Sequence, residues 1–100
     1  METQVILPDS EAPSTIREVV AALRKVNLEA RHEAKDWGDW IHLAGHDTVI
    51  SIESMRGLTS SATIEHAEGE EQGKPADAIL KAFASIGWQG VDEDGPYPLA

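Results

Sequence analysis

Apolar and polar residues alternate along most of Trp40–His66, WIHLAGHDTVISIESMRGLTSSATIEH. A strand turns successive side chains to opposite faces, so this pattern predicts three strands joined by turns. Gly45-His46-Asp47-Thr48 supplies the first turn and Met55-Arg56-Gly57 the second. Ile41, Leu43, Ile50, Ile52, Ala62 and Ile64 then share one face, with Leu58, Ser60 and His66 on the same side by parity. Upstream, Leu28 to Lys35 alternates as well, with Leu28, Ala30, His32 and Ala34 on the apolar side. Those residues also suit a helix. However, one unbroken helix from Ser14 to Lys35 would be long for so short a chain, so a strand is expected. A four-residue loop at Asp36-Trp37-Gly38-Asp39 sets Ala34 opposite Ile41, His32 opposite Leu43 and Glu33 opposite His42. Closing the next turn in the same way sets Leu43 opposite Ile50 and Ile41 opposite Ile52. The two turns agree on one inner face, as a meander requires. No simple pairing about Gly57 continues that register, so a bulge is expected near it.

Helical spacing appears twice. Thr15 and Glu18 make a capping box, Ile16, Val19, Val20, Leu23 and Val26 form an apolar stripe, and Asn27 is a stop. Pro75 opens a second helix with the stripe Ile79, Leu80, Phe83 and Ile86, and Gly87 ends it. Thr3 to Leu7 reads as a first strand stopped by Pro8; it fits either parallel beside the second strand or at the far edge. Trp88 belongs to the core, and Trp88 to Val91 adds a short last strand or packs back. Residues 67–74 read as an acidic loop and 92–100 as an irregular tail. The expected fold over residues 1–100 is a single α+β domain: a two-layer sandwich with a mainly antiparallel sheet and two helices on one face.

Charge narrows the partners. Acidic residues number 18 against 8 basic, a formal charge of -10. Arg17, Arg24, Lys25, Arg31, Lys35, Arg56, Lys74 and Lys81 are scattered in sequence, which argues against nucleic acid or an anionic membrane surface as partner. The absence of cysteine removes disulfides, thiolate chemistry and cysteine-based zinc sites. The N-terminal residues METQVILPDSEAP do not read as a signal peptide, and no apolar run approaches the roughly 20 residues of a membrane helix. A cytoplasmic setting is the expectation.

Candidate chemistry is sparse. His42 and His46 are spaced as helical metal ligands, but the turn at Gly45 removes that geometry, and no metal or other cofactor is expected. Glu33 beside His42 is the one acid–base pair that the expected register creates, with Ser51 opposite His42 and no third partner. The tryptophans say more. Trp40, His42, Val49, Ser51 and Glu53 line the outward face, with Glu33 beside them and Trp37 at the rim. Amphipathic aromatics among a few polar groups are the composition of an interface centre, unless Tyr97 and Leu99 fold back over them. The leading expectation is a non-catalytic binding module that forms a homodimer, or meets a protein partner, through the open sheet face. Alternatives are a small enzyme or metal-dependent site around His42 and Glu33, with His46 near them, and an acidic mimic that blocks a basic protein.

Overall fold

The computed structural model describes residues 2–8, 11–67 and 74–99. In chain order the elements are β1 (Glu2–Ile6), β2 (Ser14–Thr15), α1 (Ile16–Lys25), β3 (Ala30–Lys35), β4 (Gly38–Leu43), β5 (Val49–Met55), β6 (Leu58–Glu65), α2 (Lys74–Ser85), β7 (Gln89–Asp92) and β8 (Gly95–Tyr97). The sheet runs β3-β4-β5-β6-β1-β7-β8, with β2 beside the start of β6, and every pairing is antiparallel. The fold is an α+β sandwich.

Local chemistry fixes both helices. In α1 the Glu18 amide donates to Thr15 Oγ1 at 3.0 Å, and the Thr15 amide donates to Glu18 Oε1 at 3.3 Å, completing the capping box. Asn27 ends it in the left-handed region at φ 66, while the Leu28 amide donates to Leu23 O and the Asn27 amide to Arg24 O. That is a Schellman motif, and α2 closes in the same way: Gly87 donates to Ala84 O and Trp88 to Phe83 O. Trp88 then packs on Phe83 with ring centroids 5.0 Å apart. Its indole N–H donates to Ser14 Oγ, so one side chain ties the end of α2 to the start of α1.

Val5, Val19, Leu23, Ile41, Leu43, Ile50, Ile52, Ile64, Ile79 and Phe83 are buried in one cluster, joining both helical stripes to the inner face of the sheet. Each such side chain removed from water contributes on the order of 1.5–3 kcal/mol before conformational entropy opposes it.

The register differs from the expected one by two residues at both central turns. His32 pairs with Ile41, Glu33 with Trp40 and Arg31 with His42. Ile41 pairs with Ile50 and His42 with Val49. Asp36 and Trp37 alone make the first turn, because Gly38 and Asp39 already pair in the ladder. A slip of two keeps each side chain on its face, so the inner set survives. The bulge expected near Gly57 is real, but it has a consequence for parity. Glu53 pairs with Ser61 and Ser54 with Thr59, which leaves Ser60 as the extra residue. Before it the parity reverses: Thr59 is buried, while Leu58 and Ser60, expected inside, are exposed.

Two further expectations are corrected. β1 lies inside the sheet, antiparallel to both β6 and β7, and occupies neither of the expected places. Gly95–Tyr97, expected within an irregular tail, forms β8 on β7. The acidic stretch at 67–74 lies outside the described residues except for its two ends.

Candidate functional site

Alternate positions of the strands build the sheet's outer face in rows. One row reads Arg31, His42, Val49, Glu65 and Glu2 across five strands. The next reads Glu33, Trp40, Ser51, Thr63, Gln4 and Val91, and the third Lys35, Gly38, Glu53, Ser61, Ile6 and Gln89. Arg31 and Lys35 stand on β3, acidic residues stand at Glu33, Glu53, Glu65 and Glu2, and the middle row carries small hydroxyls with a few apolar groups.

The aromatic residues gather at the β3–β4 end. Trp37 meets Trp40 edge-on with centroids 6.1 Å apart, and Trp40 meets His42 edge-on at 5.7 Å. Lys35 Nζ sits 4.5 Å over the Trp40 ring, and its ammonium also pairs with Glu33 Oε1 at 2.8 Å. That hydrogen bond, first among the causes, holds the Glu33 carboxyl below its ordinary value, with His42 and Arg31 adding smaller attractions. Trp37 remains 48% exposed in its turn, while Trp40 and His42 are half-buried by each other and by Lys35. Edge-to-face rings are the favoured geometry of aromatic pairs, so the ladder holds its shape without a partner.

All seven expected site residues fall on or beside this face, although they do not form one cluster. Trp37, Trp40, His42 and Glu33 come together. Val49 lies beside His42 and Ser51 beside Trp40, while Glu53 stands away, opposite Gly38. Glu33 does not face His42 as expected: its Oε2 is 3.9 Å from His42 Nε2, a diagonal contact looser than the one to Lys35. Ser51 faces Trp40 and not His42, so no acid, base and nucleophile line up. Among the described residues no three His, Asp or Glu side chains gather as a metal site. His46, in the β4–β5 connection, shares a depression of about 500 Å³ with His42, Glu33 and Arg31 at the sheet's end.

The C-terminal segment does not cover the aromatics. It forms β8 at the opposite side of the sheet from β4, and Tyr97 lies so close over Gly90 that a Cβ there would sit 2.3 Å from the ring.

Sequence reasoning missed one cluster. Asp39, read as a turn residue, is an inner-face residue of β4 with 6% exposure. One carboxylate oxygen bonds the imidazole Nε2 of His32, and the other accepts the Ser54 hydroxyl. His32 is therefore half-exposed at the sheet's edge on a fixed anchor, and not in the core. His66 does reach the core side, 2.9 Å from Thr3 Oγ1. Strand parity carried the signal for Asp39, since it lies two residues before Ile41; the assumed loop length concealed it.

Compared with protein-family models, curated proteins and solved structures, the chain matches none of them. No helix among the described residues is long and apolar enough to cross a membrane.

Proposed function

We propose that this protein is a non-catalytic binding module whose open sheet face is its interface, and that the face takes a second copy of the same chain. The observation that carries the reading is the Trp37–Trp40–His42 ladder, standing on a face that no described helix covers. Rigid aromatic area lost from water is what makes interface centres, with polar residues at the rim.

Self-association is favoured by how the charges are laid out. Arg31 and Lys35 stand at the β3 margin, and Glu65 and Glu2 at the β6–β1 side. A two-fold axis parallel to the strands, between β4 and β5, sets β3 of one copy over β6 of the other. Arg31 then meets the second copy's Glu65, His42 its Val49, and Trp40 its Ser51. A surface that is complementary to itself under a two-fold is what a symmetric dimer needs. We also propose a cytoplasmic setting, which the cysteine-free chain permits without requiring it.

A charge swap tests this. Arg31→Glu is expected to weaken self-association and Arg31→Glu with Glu65→Arg to restore it, both read by light scattering. Equal association of all three proteins would remove the two-fold arrangement. The acid–base reading of Glu33 and His42 is weaker, because Glu33 is held by Lys35 and no nucleophile stands beside the pair. The acidic-mimic reading gains nothing from this face, whose charges are mixed.

A further inference from the structure

The two edges of the sheet are built differently. β8 is three residues long and has proline, which lacks an amide N–H, at its middle. β3 is six residues long, without proline or bulge, and Arg31 to Lys35 are exposed throughout. Short strands and proline block an edge and close β8 to further pairing; β3 has neither, and only its charged side chains, Arg31, Glu33 and Lys35, guard it.

Beside the open edge the helical layer stops short. Ala30, His32 and Ala34 face the same side, yet only Ala30 is buried. Between α1 and β3 runs a groove of about 740 Å³, floored by Val20 and Ala21, with Arg17, Arg24, Lys25 and His32 along its walls. These α1 positions fall at helical spacings of three and four, so residues scattered in sequence gather on one side. Three of the chain's 8 basic residues line the groove and none of its 18 acidic residues does, among those described. Arg24 Nη2 donates to Ala30 O at 3.2 Å and ties the helix to the start of β3. His32 is held in the wall by the buried Asp39.

We propose that an extended peptide with an acidic residue at every second position adds as a further strand on β3, its carboxylates entering this basic groove. Main-chain hydrogen bonds to the free edge would supply affinity, and the groove would select the side chains. The spacing fits: alternate strand residues lie about 6.6 Å apart, and helix positions four apart rise about 6 Å. Carboxylates at every second position of the peptide therefore turn to the helical side and keep step with Arg17 and Lys25, while the residues between them turn to the outer side of the sheet. A second copy of this chain is a poorer occupant. Joining β3 to β3 brings two sets of Arg17, Arg24 and Lys25 to the same side of the joined sheet, where like charges repel. The groove lies on the opposite side of the sheet from Trp40, so Trp40→Ala should leave the preference for the glutamate peptide over its lysine counterpart unchanged whatever it does to self-association.

The test is fluorescence anisotropy with a labelled peptide of about ten residues alternating valine and glutamate, titrated with the full chain. Saturable binding is expected, together with slowed amide hydrogen exchange in β3. Replacing the peptide's glutamates by lysine, or methylating its alternate backbone amides on the pairing side, should each weaken binding about tenfold or more. The double substitution Arg17→Glu with Lys25→Glu, at two exposed positions, should do the same without moving the thermal midpoint. The peptide series decides the matter even if that variant folds poorly. Absence of binding, equal binding of the lysine peptide, or undiminished binding of the methylated peptide overturns the proposal. So does full competition by equimolar octanoate, which would make the groove a small-molecule site. Self-association lost in the Arg17→Glu, Lys25→Glu protein would assign the edge to a second copy and overturn it also.

Discussion

A methyl group added at Gly38 should cost far more than the same group added at Gly45. An ideal Cβ on Gly38 would stand 2.1 Å from the Ile52 carbonyl oxygen and 3.1 Å from the Ser54 amide nitrogen. Both are backbone atoms of the neighbouring strand, so no side-chain rotation relieves the overlap. β4 and β5 would have to separate by roughly 1 Å, since non-bonded heavy atoms sit above ~3 Å. Two ladder hydrogen bonds would be lost at about 1 kcal/mol each, on top of an overpacking cost of about 1–3 kcal/mol. The sum is about 3 kcal/mol or more, equivalent to a fall of some 12–24 °C in Tm for a domain of this size. At Gly45, φ is +82 and nothing lies within 4 Å of the added carbon, so only the backbone preference is lost, about 1 kcal/mol. Urea unfolding followed by tryptophan fluorescence measures both, provided that the m-values stay equal. The irregularity between Glu53 and Ser54 is the one nearby place where the ladder could absorb the methyl group. Two variants within about 0.5 kcal/mol of each other would mean that it does, and that Gly38 does not fix the hairpin carrying Trp37 and Trp40.

Other outcomes follow from single contacts. Thr15→Ala removes the capping box and should destabilise the protein by about 1 kcal/mol in the same assay, against a smaller loss for Thr15→Ser. Asp39→Ala leaves the Ser54 hydroxyl without its acceptor and releases His32; about 1–3 kcal/mol should be lost, and Ser54→Ala should add little to it. Glu33 should titrate below its ordinary 4.5 by carboxyl NMR, and Lys35→Met should raise it; an unmoved midpoint would refute the Lys35 hydrogen bond as cause. Since its folded value is the lowered one, the stability linked to Glu33 is present above about pH 4.5 and lost as pH falls through that lowered value.

The inner face was legible because hydrophobic parity is insensitive to a slip of two residues. Ile41, Leu43, Ile50 and Ile52 point inward in either register, so wrong partners still gave the right faces. Asp39 and His32 were not legible for the same reason: their contact depends on the partner, not on the face. The bulge could be located only to the neighbourhood of Gly57, and its placement at Ser60 decided that Thr59 and not Leu58 is buried. The position of β1 between β6 and β7 rests on pairings more than fifty residues apart in sequence, and nothing local encodes it. The members of the outer face followed from parity, and the expected loop already set Lys35 opposite Trp40; the shorter turn puts Glu33 opposite Trp40 instead and leaves Lys35 to reach the ring diagonally.

Sedimentation of the wild-type chain beside Trp40→Ala, across a concentration series to the high micromolar range, tests the interface most directly. Trp40 is at the centre of the ladder, and truncating a central aromatic typically costs 2 kcal/mol or more, about thirtyfold in Kd. The account expects the wild-type protein to become dimeric within that range and Trp40→Ala to remain monomeric. Two monomers throughout, or a dimer that Trp40→Ala leaves intact, would contradict it.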